Sequence, residues 1–308
     1  MRLLITGATR GLGFETARIL AQRGHSLILA CRNKTSGDHA KDALAREGAA
    51  ELRVIELDVA DLDAVSRTVA ALGATEALGP IDALICNAGV QLLGELTRTA
   101  QGLEQTFATN HLGHFCLARG LLGSLAAGGR IVFVSSNTHD PERWTGMPAP
   151  KLDDLRGVAE GSCFIDEPPA AAGRRRYTTS KLCNVLCARE LARRLASDPR
   201  GRSAYAFDPG LMPATGLARD YGPVSRWLWH NLLPVAAKLV PNVNDVQTSA
   251  RRLADLATGA LDAPSGAYLS CGRVTPSSKQ SLDDDLARRL WALSSELSGL
   301  PESLSVNP

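Results

Sequence analysis

The chain has 308 residues, with 34 lysines and arginines against 32 aspartates and glutamates, and its formal net charge of +2 is spread along the length. That length suits one large α/β domain or two small ones, and the charge balance points to neither nucleic acid nor an anionic membrane surface. The hydrophobic fraction of 44% is ordinary for a globular chain, and no apolar run reaches the ~20 residues of a membrane span, so a soluble, cytoplasmic protein is expected.

The opening MRLLITGATRGLG reads as a strand at 2–6 that passes straight into a glycine-rich turn, without a signal-peptide pattern. Further runs rich in Ile, Leu and Val follow at 26–31, 52–57, 81–86, 130–136, 203–208 and 266–270, which makes seven strands. Helical periodicity between them predicts helices over 13–23, 38–47, 61–72, 103–125, 177–196, 245–258 and 283–297, with Asp61 and Asp245 as N-caps. Continuous apolar strands alternating with helices form a parallel sheet covered on both faces. The expected class is α/β, a doubly wound Rossmann fold with a seven-stranded parallel sheet, in a single domain over 1–308.

Two stretches break this rhythm. Residues 137–176 are rich in Pro, Gly and Asp, and residues 211–244 carry Trp227, Trp229 and several prolines. Loops of that length in an α/β domain are expected to bind or cover ligands. Seven cysteines, at 31, 86, 116, 163, 183, 187 and 271, are scattered and mostly embedded in apolar segments, so reduced buried thiols are expected. Cys183 and Cys187 lie one helical turn apart, but no nearby His or Cys pair completes a zinc set, and no metal is expected.

The turn Thr6-Gly7-Ala8-Thr9-Arg10-Gly11-Leu12-Gly13 stands between a strand and a helix. Glycines there bring backbone N–H groups and a helix N-terminus against a pyrophosphate, so Gly7, Thr9, Arg10, Gly11, Leu12 and Gly13 are expected to hold a dinucleotide. At the end of the second strand an acidic residue would select the ribose 2′-hydroxyl, but the chain has Cys31-Arg32-Asn33. Arg32, with Arg10, suits a 2′-phosphate, so NADP(H) is the expected cofactor. Asp58 and Val59 close the third strand near the adenine, and Asn87, Ala88 and Gly89 close the fourth, where small residues allow close approach.

Tyr177 and Lys181 lie four apart in RRRYTTSKLCN, on one face of a helix. An unperturbed phenol titrates near ~10, and a neighbouring ammonium lowers that value, which would make Tyr177 a usable proton donor or acceptor.

Together these residues resemble the short-chain dehydrogenase/reductase family across essentially the whole chain. The matches are TGATRGLG at 6–13, Asp58-Val59, the NAG at 87–89, Asn110 within TNHLGHF, the serine pair after IVFV, YTTSK at 177–181 and Pro209-Gly210. The resemblance implies a catalytic set of Asn110, Ser136, Tyr177 and Lys181, with Ser135 as the adjacent alternative to Ser136; on a strand only one of them faces the site. It further implies that Tyr177 is the acid or base, Lys181 tunes it and binds the ribose, Ser136 polarises a carbonyl, and Asn110 holds a water. Pro209, Gly210 and Thr215 are placed near the nicotinamide. Helices 103–125 and 177–196 pair between subunits in the family, which implies a homodimer or homotetramer.

The long stretch before Tyr177 is similar to those of retinol-dehydrogenase-like enzymes and protochlorophyllide oxidoreductases. LDDLRG at 152–157, TGLARD at 215–220 and ARRLWALSSELSGL at 287–300 resemble the second subgroup most. That subgroup has a cysteine after the Pro-Gly, where this chain has Leu211, which offers no proton. The expected activity is NADP(H)-dependent interconversion of a carbonyl and an alcohol on a fairly large, partly apolar small molecule. Reduction of a tetrapyrrole double bond and a non-catalytic NADP-binding regulator are the alternatives.

Overall fold

The computed structural model describes residues 1–74, 79–210, 212 and 245–304. Leu211, Thr215, Trp227 and Trp229 therefore lie outside the described residues. The strands are β1 Arg2–Thr6, β2 Ser26–Cys31, β3 Glu51–Glu56, β4 Ile81–Cys86, β5 Leu125–Val134, β6 Ser203–Asp208, β7 Tyr268–Ser270 and β8 Arg273–Val274. They form one sheet in the order β3-β2-β1-β4-β5-β6-β7-β8, parallel throughout except for the final antiparallel pair. The eighth strand corrects the expected count of seven. It is two residues long, too short for any periodicity, and exists because Cys271 (φ 51°) and Gly272 (φ 75°) turn the chain back on β7.

Alternation along the strands divides the core into two layers. Leu3, Ile5, Leu27 and Leu29 face α1 (Gly11–Gln22), α2 (Lys34–Ala45) and α8 (Val246–Thr258). Leu4, Ile28, Leu84 and Phe133 face the other layer, built from α3 (Leu62–Gly73), α5 (Gly113–Gly120), α7 (Pro169–Arg194) and α9 (Asp284–Ser298). Asp61 and Asp245 cap their helices as expected, accepting from Ala64 N at 3.1 Å and Thr248 N at 2.7 Å.

Three helices differ from the expected ones; the one expected over 38–47 is α2, which begins at Lys34, a turn earlier, because Asn33 caps it there. The span 103–125 is broken into a three-residue α4 (Gln105–Phe107), a π turn at Ala108–Leu112 and α5, and its last residue already belongs to β5. The helix bearing Tyr177 begins at Pro169, where a proline's missing N–H costs nothing, so Tyr177 stands two turns inside rather than at the start. The stretch 137–176 is ordered: it holds α6 (Leu155–Glu160), short 3₁₀ turns and the first turns of α7.

The C-terminal helix covers α5 and α7 from outside. Trp291 is 2% exposed, meets Phe115 edge-on at 4.9 Å, and lies under the Arg119 and Arg194 guanidinium groups at 4.8 and 4.6 Å. Its indole N–H donates to the Glu302 carbonyl at 2.9 Å. Among the described residues, no helix is long and apolar enough to cross a membrane.

Candidate active site

Strand order reverses beside β1, and the crevice at the carboxyl ends of β1 and β4 is the place where doubly wound sheets bind ligands. Here the two strand ends form one hydrogen-bonded unit. Asn87 donates its side-chain amide to the carbonyls of Thr6 at 2.9 Å and Gly7 at 3.2 Å. The backbone N–H groups of Asn87 and Ala88 each donate to the Thr6 hydroxyl at 2.9 Å. Any side chain at Gly13 would collide with the Asn87 amide and the Gly7 carbonyl, so the helix start sits flush against the turn only because Gly13 has none.

A cavity of about 330 Å³ opens over this unit. Every residue expected to contact the cofactor from Gly7 to Gly89 lines it, as do Tyr177, Lys181 and Pro209. Gly210 does not; its N–H donates instead to the Asp208 carboxylate at 2.9 Å. Asn33, Ser36 and Gln91, which are not among the expected cofactor contacts, also line the cavity. The first two had a legible signal, because Asn33 caps α2 by accepting from Ser36 N at 2.9 Å, a spacing typical of helix starts.

Tyr177 and Lys181 are 8% and 4% exposed, one turn apart on α7, with the Lys181 Nζ 5.4 Å from the phenol ring centroid. The ammonium donates to the Val134 carbonyl at 3.0 Å, and Asn184 donates to the same carbonyl at 3.1 Å. Burial pulls the Lys181 ammonium down to about 8, with the Asp208 carboxylate opposing that shift.

The two serines face opposite ways. Ser135 is 2% exposed and donates to the Lys181 carbonyl at 2.7 Å. Ser136 is half-buried, and its hydroxyl accepts from Thr138 N at 3.3 Å. Its carbonyl takes a 2.7 Å hydrogen bond from His139 Nδ1, while His139 Nε2 accepts from Ser278 N at 3.2 Å. Ser135 contributes to the cavity lining and Ser136 does not.

Asn110 is fully buried in the π turn, a helix distortion common at functional sites. Its side chain accepts from Val90 N at 2.8 Å and donates to Val90 O at 3.0 Å and to the Ser180 hydroxyl at 2.9 Å. Its carbonyl bonds His114 Nδ1 at 3.1 Å, and His114 Nε2 lies 2.9 Å from the Thr6 hydroxyl. Thr6 already accepts two N–H groups, so its proton goes to Nε2, and the Nδ1–H donates to Asn110. Burial holds His114 down to about 4, in keeping with this neutral tautomer. The chain Thr6–His114–Asn110 thus ties the phosphate turn to the π turn.

Two of the three arginines at 174–176 are engaged. Arg175 pairs with Glu167 at 2.8 Å. Arg176 is 4% exposed, faces Glu104 at 3.5 Å and donates to the Gly94 carbonyl at 3.0 Å. Its place beside Tyr177 on α7 therefore anchors the segment after β4.

The chain is similar to known proteins. A family model described as short chain dehydrogenase matches residues 2–147. The protochlorophyllide reductase of Avena sativa is 35% identical over 97% of this chain and 99% of its own length. The WW domain-containing oxidoreductase of Drosophila melanogaster is 34% identical over 96% of this chain and 67% of its own. Among solved structures, an uncharacterized protein from Mycobacterium Paratuberculosis superposes with a TM-score of 0.70 at 30% identity, over 98% of this chain and 95% of that one. A blue fluorescent protein from a metagenomic library, in complex with NADPH, does so at 0.62 with 27% identity, over 87% of this chain and 94% of that one.

Proposed function

The chain belongs to the short-chain dehydrogenase/reductase family, and on that premise we propose that it is an NADP(H)-dependent oxidoreductase interconverting a carbonyl and an alcohol. The observation that carries this reading is Tyr177 and Lys181 side by side on α7 at the wall of a cavity floored by the glycine turn. The cradle fits a dinucleotide, since its glycines leave no side chain over the turn and α1 starts there. Arg10, Arg32 and Ser36 would take the 2′-phosphate at the N-terminus of the twelve-residue α2. The likeness to an NADPH complex supports that preference.

When bound, the nicotinamide supplies or accepts a hydride. The protein's own residues handle the proton and the developing charge. Tyr177 gives its phenol proton to the carbonyl oxygen in reduction and takes it back in oxidation. Lys181, with its ammonium fixed by the Val134 carbonyl, stabilises the phenolate. Ser136 polarises the carbonyl from the strand end opposite in sense to Ser135. Both amide N–H groups of Asn110 are committed, to the Val90 carbonyl and Ser180, so a water held by Asn110 would donate to one of its oxygens rather than accept from its side chain. A dimer that paired α7 between subunits would have to leave room for α9, which packs on α7 and meets Phe115 of α5 through Trp291.

Tyr177→Phe is expected to abolish NADPH-linked carbonyl turnover while leaving NADPH affinity within about twofold, because only the proton is lost. Retained turnover would sink the mechanism. A second reading, light-dependent reduction of a tetrapyrrole double bond, is favoured by the likeness to protochlorophyllide reductases over nearly the whole chain. Leu211 after the Pro-Gly argues against it. Loss of the protochlorophyllide absorption band under light with NADPH, and not in the dark, would establish it.

A further inference from the structure

Gln91 is 7% exposed, lines the cavity with Tyr177 and Lys181, and buries its Nε2 without a hydrogen-bond partner. A buried amide donor left unpaired is costly, and such groups are otherwise rare in folded proteins. The backbone on either side is fixed. Val90, before it, is clamped through both its N–H and its carbonyl by the Asn110 side chain. Leu92, after it, offers its carbonyl to Arg176 at 3.4 Å and presses it against Gly173, where any side chain would collide. Gln91 is thus held between the π turn and the stretch of α7 that carries Tyr177. The side chain has no freedom to withdraw with its backbone, so a ligand finds the donor already in place.

We propose that Gln91 is a substrate-recognition residue whose amide donates to a second, neutral oxygen near the reacting carbonyl, so that 1,2-diketones and α-hydroxy ketones are preferred over simple ketones. A neutral amide matches a neutral carbonyl or hydroxyl oxygen rather than a carboxylate, whose charge would need a cation. Lys181, the lysine among the described residues that line this cavity, already serves the Tyr177 phenolate. This proposal rests on the oxidoreductase reading, because it defines the second oxygen relative to the carbon that Tyr177 serves.

The test compares 1-phenyl-1,2-propanedione with propiophenone, which share a carbon skeleton and differ in the second oxygen. Affinities for the enzyme–NADP⁺ complex are measured by calorimetry in wild type, Gln91→Met and Gln91→Leu, alongside NADP⁺ affinity and NADPH consumption. The ratio of diketone to monoketone affinity should fall about tenfold in both variants, while NADP⁺ affinity, which also reports folding, stays unchanged. An unchanged ratio, no binding of the diketone, or a loss confined to NADP⁺ affinity overturns the proposal; the last would mean that Gln91 serves the cofactor. A ratio that falls as expected in a wild-type enzyme consuming no NADPH with either ketone supports recognition by Gln91 and overturns the carbonyl-reductase reading instead.

Discussion

The hydroxyl of Ser135 donates to the backbone carbonyl of Lys181 at 2.7 Å, joining β5 to α7 behind the cavity. That bond commits the Ser135 hydroxyl to holding the lysine's helix turn, although Ser135 rather than Ser136 contributes to the cavity lining, while the Ser136 hydroxyl, which accepts from Thr138 N, keeps its proton to donate. Ser136→Ala is therefore expected to lower kcat by about 10²-fold at unchanged thermal stability, as loss of one carbonyl-polarising donor does elsewhere. Ser135→Ala should instead cost about 0.5–1.5 kcal/mol of stability, the loss of one buried hydrogen bond to a carbonyl that keeps its place in the helix ladder of α7. Steady-state kinetics and urea unfolding of the two variants separate these outcomes, and reversed phenotypes would exchange the assignment.

Cofactor choice depends on the cations at the end of β2 and in the turn. Arg32→Ala and Arg10→Ala should each reduce the ratio of kcat/KM for NADPH over NADH by about tenfold or more, chiefly by raising the KM for NADPH, because a charge-assisted bond to the 2′-phosphate contributes about 1.5–3 kcal/mol. An unchanged ratio in the double variant would remove the basis for NADP(H) preference.

Acid stability should depend on His114. Its folded value of about 4 lies below the ordinary 6.5, so between those values the unfolded chain binds more protons than the native one. Its contribution is present above about pH 6.5 and is lost as pH falls towards 4. His111, held at about 3 by burial, adds a slope of the same sign. His114→Leu should therefore be less stable than wild type at pH 7, since it breaks the chain from Thr6 to Asn110, yet show a shallower decline below pH 6.5. Urea midpoints from pH 7 to pH 4.5 measure this; parallel curves would contradict the neutral buried imidazole.

Trp291 supports the cover over α5 and α7. Trp291→Ala should destabilise the protein by about 3–5 kcal/mol through the cavity it leaves and the loss of its two cation–π partners. Wild type should elute as a species near 32.6 kDa by light scattering, because α9 already occupies a face of α7, one of the two helices expected to pair; a species of twice that mass would contradict this.

Much of this was legible in the residues. Four strands, 2–6, 26–31, 81–86 and 203–208, have the bounds their apolar runs announce. Those strands end at the turn, at Arg32, at Asn87 and at Pro209, so the cofactor-facing residues follow from strand order once the sheet is parallel. The spacing of Tyr177 and Lys181 needs only a helix to bring them together. Local patterns suffice there because helix and strand periodicity and chain-end motifs are properties of neighbouring residues. Tertiary structure decided the rest. The Ser135 hydroxyl is taken up by a partner 46 residues away, the neutral state of His114 depends on a threonine 108 residues away, and the edge-on partner of Phe115 on α5 comes from the C-terminal helix. The burial that leaves Gln91 without a partner has no signal of its own in the sequence, since an amide in a polar loop and an amide under a packed helix are spelled alike. Long-range hydrogen bonds and burial arise only when distant segments meet, and it is those meetings that turn a recognisable set of residues into a specific site.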